Sequence, residues 1–193
     1  MVHLLVVTAG IIVALGLEQS VEAFHHHRLA AEARDNMLTE IGDNKKDLDK
    51  HLAKLAEEKK EREADIDVID RFLANKNLAH GSMAINFSPA TLNSASWATA
   101  STVGALAYME YGQVKQFAQV YKKQEFFDRL QDEEIKDVQV ASGMMASFDG
   151  PAKPAGEELR TLRRQLLQGS AALEVLRQLG EQLSAEYDKV LHK

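Results

Sequence analysis

From Leu159 to Val190 apolar and small residues recur at alternating steps of three and four: Leu159, Leu162, Leu166, Gly169, Leu173, Leu176, Gly180, Leu183, Tyr187 and Val190. That spacing draws one seam along a helix and predicts an amphipathic helix docked through a single face. Between Glu18 and about Asn75 there is no proline and one glycine, Gly42, while Leu38, Ile41, Leu48, Leu52, Leu55, Ile66, Ile69 and Leu73 keep a heptad-like spacing. A long helix is predicted there. Lys45, Lys59 and Arg62 interrupt its seam, and the run EEKKEREAD around the last two reads as a solvated stretch laced with ion pairs. A third stretch, about Tyr111 to Phe148, carries Val114, Phe117, Tyr121, Phe127, Leu130, Val138, Met145 and Phe148 at mostly helical spacing and runs into the loop DGPAKPAG.

The first residues follow a different pattern. Leu4 to Leu17 is a fourteen-residue run without a charge, and counting back to Met1 gives seventeen residues with His3 inside. Seventeen is the lower limit for a membrane span, since a span takes roughly 17 to 25 residues. Gly10 and Ala14 offer a small-xxx-small face, and Leu17 passes into Glu18-Gln19 without a turn signal, as a helix leaving a bilayer would. Two alternatives stay open: a signal peptide cleaved after Val21-Glu22-Ala23, and a buried helix. The expected fold is all-α, an N-terminal transmembrane anchor helix followed by an elongated antiparallel three- to four-helix bundle. Its divisions are an anchor at 1–20, a long juxtamembrane and bundle helix at 21–75, an uncharged loop and short helix at 76–110, and two long bundle helices at 111–193 joined by a Pro/Gly loop at 149–156. The two seam glycines, Gly169 and Gly180, are expected to let another backbone come close.

Asn77 to Met109 holds no Asp, Glu, Lys or Arg in 33 residues, within a chain that is 27% charged. Its first part reads as loop, and a helix is expected to start near Ser88 or Asn93, both good caps. On that helix Trp97, Ser101, Gly104 and Tyr108 would share one face. One reading makes Trp97 a core anchor, with Ser101 and Gly104 selected for close helix contact. The other makes Trp97, Ser101, Tyr108 and Tyr111 the lining of an apolar ligand pocket with polar handles.

Composition narrows the function classes. Three prolines and 6% aromatic residues suit helices rather than a sandwich or barrel. A net charge of −6 with acids and bases interleaved does not favour nucleic acid as a partner. The absence of cysteine removes disulfides, thiolate nucleophiles and Cys-containing zinc sites. No nucleophile elbow, zinc-binding helix, dinucleotide fingerprint or phosphate loop is found, so no cofactor and no catalytic residue is assigned and the chain reads as a non-enzyme. Glu22-Ala-Phe-His25 matches half of a di-metal unit, but no second Glu-x-x-His exists. His25, His26 and His27 point about 100° apart on a helix and cannot converge on one ion, although Glu22 with His26 could hold one weakly. With Arg28 the histidines read as a polar collar at a membrane boundary.

HLLVVTAGIIVALGLEQSVEAFHHHRLAAEARDNMLTEIGDNKKDLDKHL, with the later SASWATASTVGALAYMEYGQVKQFAQVYKKQ, resembles a group of uncharacterised bacterial proteins that pair a short apolar anchor and His-rich collar with a charged helix and a Trp-bearing stretch. The resemblance implies a single-pass protein with a helical domain on the outer side of the bacterial inner membrane. Arg28 and Arg34, following the apolar run, point to the opposite orientation. The function expected is a membrane-anchored interaction or scaffolding module, with an unknown protein partner or a second copy of itself, and a sensor for a small apolar ligand near Trp97 as the alternative.

Overall fold

The computed structural model describes residues 2–75, 83, 85–148 and 154–192, and for residues 2–6, 8, 9 and 75 the backbone alone. The chain is all-helical among the described residues: α1 Val2–Asn75, α2 Ala95–Thr102, a 3-10 turn Ala105–Tyr108, α3 Tyr111–Phe148 and α4 Gly156–Leu191. It divides into two compact units, one of Met1–Ile41 with Asn93–Tyr121 and one of Gly42–Leu92 with Lys122–Lys193. α1 continues without a break through both the expected anchor and the expected bundle helix. Among the described residues no helix is long and apolar enough to cross a membrane. The first turns of the expected anchor lie outside that statement, because their side chains are not among those described.

In the second unit the seam of α4 is buried along its whole length, from Leu159 to Val190. Glu157 and Glu158 occupy its first turn, where carboxylates favour the positive end of the helix dipole, and Glu158 accepts the Ala155 N–H at 2.8 Å. Ion pairs fix its direction: Lys45 meets Asp188, Lys59 meets Glu174 and Arg163 meets Asp70, so α4 runs antiparallel to α1. α4 is also antiparallel to α3, since Lys123 meets Glu186 while Ala141 packs with Leu159, Leu162 and Leu166. α1 and α3 therefore run parallel, as the pairs Asn44–Gln124 and Arg62–Glu134 also require. Antiparallel neighbours were expected from short connections; the α1-to-α3 connection is long and returns the chain along the unit, which makes these two neighbours parallel.

The two glycines of the α4 seam accommodate side chains rather than a neighbouring backbone. A methyl on Gly180 would sit 2.6 Å from Leu52 Cδ2 and 3.1 Å from Phe127 Cε2, and one on Gly169 would collide with the Arg62 guanidinium. Each glycine thus faces a large group on another helix, and volume is shared across the layer.

The first unit buries Ala30, Met37 and Ile41 of α1 with Ala100, Ala105, Phe117, Val120 and Tyr121. α2 starts at Ala95, close to Asn93 rather than Ser88, and ends at Thr102. Gly104, at φ 74°, then turns the chain into the 3-10 segment, so the single face expected for Trp97, Ser101, Gly104 and Tyr108 is broken. Gly104 is exposed, with nothing within 4 Å of an added Cβ; its backbone conformation, not close packing, is what requires glycine.

The α4 seam generates a stability prediction. Leu176→Ala should cost about 2 to 5 kcal/mol in urea unfolding, with the slope unchanged. Val175→Ala, one residue away and exposed, should stay within about 0.5 kcal/mol of the parent. Equal effects from the two substitutions would show that the seam is not a core.

Candidate functional site

On α1, Met37, Ile41, Asn44, Leu48, His51, Leu55, Glu58, Arg62, Asp65 and Ile69 are all buried, at alternating steps of four and three. The register of the leucine seam thus passes unbroken through EEKKEREAD. That stretch is solvated on its outer faces only: Glu58, Arg62 and Asp65 turn inward, which corrects the expectation of solvent on every side. α3 answers in the same rhythm with Phe117, Val120, Gln124, Phe127, Gln131, Glu134 and, one heptad on, Ala141. Polar layers are therefore interleaved with apolar ones along the second unit, singly at Asn44 and His51 and consecutively at Glu58, Arg62 and Asp65. The signal was present in the sequence, since extending the heptad from Leu48 and Leu55 reaches positions 58, 62, 65 and 69.

Two of these layers carry hydrogen bonds between helices, the second leaving Arg62 Nε and Nη2 and Glu134 Oε2 buried without a partner among the described residues. Asn44 donates to Gln124 Oε1 at 3.1 Å, and the Tyr187 hydroxyl donates to the same oxygen at 2.8 Å, tying all three helices together. Further along, Arg62 Nη1 donates to Glu134 Oε1 at 2.6 Å, with the side chains 3% and 1% exposed. Burial pushes Glu134 above the ordinary carboxylate range, and the Arg62 charge opposes it. Because a guanidinium stays charged and would otherwise be buried alone, the pair is ionic. Next to it lies a cavity of about 10 Å³, room for one water molecule, lined by Arg62, Glu134, Asp137, Gln165 and Gly169 among others.

Residues 85–92 of the uncharged segment lie against this unit as an extended strap whose backbone is bonded by side chains. Ser88 is gripped at both ends: its N–H donates to Glu58 Oε1 at 3.0 Å, and its carbonyl accepts from His51 Nδ1 at 2.7 Å. That bond sets the His51 tautomer, since a carbonyl can only accept. Burial lowers the His51 pKa and raises that of Glu58, each opposed by its bond to Ser88. Gln131 binds both the N–H and the carbonyl of Ala90, and Asp47 accepts the Thr91 N–H at 2.6 Å. A segment without charges of its own is therefore held by charged and amide groups on α1 and α3.

The four residues named for a ligand pocket all fall in the first unit. Trp97 is half-buried and stacks on Tyr121 with ring centroids 5.5 Å apart. Glu40 accepts both the Tyr121 hydroxyl, at 2.7 Å, and the Ser96 N–H, at 2.9 Å, which joins α1, α2 and α3 at this level. Ser101 is exposed, Tyr108 lies flat on the His26 ring at 3.7 Å, and Tyr111 is 81% exposed. Trp97 and Tyr108 thus have different ring partners. His26 Nε2 is 3.9 Å from Glu22, and among the described residues no group of three or more His, Cys, Asp or Glu is arranged to hold a metal.

Comparison with protein-family models, curated proteins and solved structures finds no match to this chain.

Two predictions follow from the buried charges. Glu134→Leu alone should destabilise the protein by about 3 to 5 kcal/mol, because it leaves Arg62 charged and unpaired in the core. Combining it with Arg62→Met should recover most or all of that loss in the same denaturation assay; a double variant as unstable as the single one would contradict this account. The second concerns Asp128, which burial and the neighbouring Asp132 push up to about 6, against a hydrogen bond from Gln131. A carboxyl raised in the folded state adds stability below its unfolded value of 3.8, and that contribution is lost as pH rises through about 6. Asp128→Asn should therefore raise the melting midpoint at pH 7.5, by roughly 2 to 4 °C, and leave it unchanged at pH 3.5. A gain of equal size at both pH values would exclude titration as the cause.

Proposed function

We propose that the protein is a membrane-attached helical module, with the start of α1 as its anchor and the helical units as an interaction or scaffolding surface. One observation carries this reading. Val7, Ile11, Ile12, Val13, Leu15 and Leu17 are each between 52% and 64% exposed. At about 100° per residue they cover every side of the helix. A helix apolar all round belongs in a core or a bilayer, and these side chains are not in a core of this chain. The run is short for a span, and flanking residues that reach toward the headgroups would accommodate the mismatch. The exported orientation belongs to this proposal on the strength of the resemblance, and a reporter fused after Lys193 reads it directly.

The sequence alternative, a sensor for an apolar ligand beside Trp97, draws less support, because a face of that indole already packs on Tyr121.

In a cell expressing the full chain, the protein should sediment with membranes and resist alkaline extraction. Ile11→Lys combined with Ile12→Glu should shift it to the soluble fraction, since each charge costs about 2.5 to 3.5 kcal/mol at mid-bilayer. A parent protein released by alkali, or a mature form beginning at Phe24, would overturn the anchor.

A further inference from the structure

The ion pair at the centre of the second unit uses only part of each partner. Arg62 Nη1 donates to Glu134 Oε1, while Arg62 Nε and Nη2 and Glu134 Oε2 are buried and bond no group among the described residues. The edge of Arg62 that remains is the edge that other arginines of this unit fill. Arg163 gives Nε and Nη2 to the two oxygens of Asp70, at 2.5 and 3.0 Å, and Arg177 gives the same two nitrogens to Glu174. Those two side chains are part-exposed, whereas Arg62 is 3% exposed and has no solvent to turn to. A guanidinium stays charged, so its N–H groups donate at every working pH, and a buried donor left unbonded bears the full cost of its lost hydration.

The cavity beside the pair has the size and the walls for a partner. Its volume of about 10 Å³ takes one water-sized body, and Arg62 and Glu134 both line it, with half-buried Asp137 and Gln165 on the same wall. The charges of that wall select what enters. An anion on the remaining edge of Arg62 would face the carboxylates of Glu134 and Asp137, and a metal cation on those carboxylates would face the guanidinium. A carboxylate ligand, the usual mate of that edge, needs more room. A neutral molecule that accepts on one side and donates on the other meets neither repulsion.

We propose that this cavity is a binding site for one water molecule, which accepts from the Nε–Nη2 edge of Arg62 and donates to Glu134 Oε2. Its orientation is fixed, because an arginine has nothing to accept with and both hydrogens of the water are left for acceptors. Glu134 Oε2 takes one, and Asp137 and the Gln165 side-chain carbonyl are the acceptors on the wall for the other. Counting the bond from the guanidinium, the water makes about three, the number a buried water ordinarily holds. The hydrogen given to Oε2 favours the ionised carboxylate, and so works with Arg62 against the burial that pushes Glu134 up. Gly169 keeps the site open: a methyl there would stand 3.2 Å from Arg62 Cζ and 3.6 Å from Glu134 Oε1, crowding the head groups that hold the water. The lock between α1 and α3 is therefore a network of guanidinium, water and carboxylate, with α4 supplying the wall at Gln165 and Gly169.

Diffraction from crystals of the full chain in detergent tests the site. A single solvent peak is expected within about 3.2 Å of both an Arg62 nitrogen and Glu134 Oε2, unchanged in crystals soaked in sodium bromide or in rubidium chloride. An anomalous bromide peak there would make it an anion site, an anomalous rubidium peak a cation site and a featureless cavity a dry void, and each of these three results overturns the proposal. The companion structure is that of Arg62→Met combined with Glu134→Leu, in which this layer becomes apolar. The peak should be lost from it; a water that persists would be held by Asp137 and Gln165 without the ion pair, which also overturns the assignment. The parent crystal decides alone if the double variant does not fold.

Discussion

An arginine and a glutamate meet at 2.6 Å in the middle of a helical core, and the register of three helices depends on that meeting. Leucine layers are tolerant of sliding, because one apolar contact replaces another at little cost. A guanidinium displaced from its carboxylate in the same place is left charged and desolvated, which costs several kcal/mol. Gly169 belongs to the arrangement, since any side chain there would occupy the space of the Arg62 head group. The Asn44–Gln124–Tyr187 layer repeats the principle with neutral partners, so the unit has two polar locks with hydrophobic layers around them.

The same interleaving explains why so polar a chain forms a core at all. Four of the polar seam positions on α1 find a partner: His51 and Glu58 reach the strap, Arg62 reaches α3, and Asn44 reaches a glutamine, while His51 Nε2, Glu58 Oε2 and two Arg62 nitrogens are buried without one among the described residues. The strap in turn needs no strand partner, because side chains of α1 and α3 bond its backbone. Buried backbone polar groups have to be satisfied somehow, and here the helices supply the donors and acceptors that a β-ladder would supply elsewhere.

The positions of the α4 seam were legible, Gly169 and Gly180 included, because leucine at alternating three- and four-residue steps admits one interpretation, but that the glycines face the side chains of Arg62, Leu52 and Phe127 was not. The α1 seam was legible at its leucines and isoleucines and was lost at Glu58, Arg62 and Asp65. Hydrophobicity marks burial only for side chains that are apolar, and a charged residue in the correct register looks the same in sequence whether it faces solvent or a buried partner 72 positions away. The end of α2 was misread for a different reason: the glycine at 104 suits a close helix contact and a left-handed turn equally well, and only the backbone angle separates them. Of the four residues named for a pocket, sequence could group them but could not divide their rings between Tyr121 and His26.

The parallel arrangement of α1 and α3 bears on the order in which the chain assembles. α3 and α4 are joined by a short loop and can pair as a local hairpin at a small cost in loop entropy. α1 can join them in its final register only when the strap has folded back beside it, and contacts of such long sequence separation form late. The Arg62–Glu134 lock is then a latch closed after the main barrier. A latch of that kind sets how long the assembled protein stays folded and has little influence on how quickly it gets there.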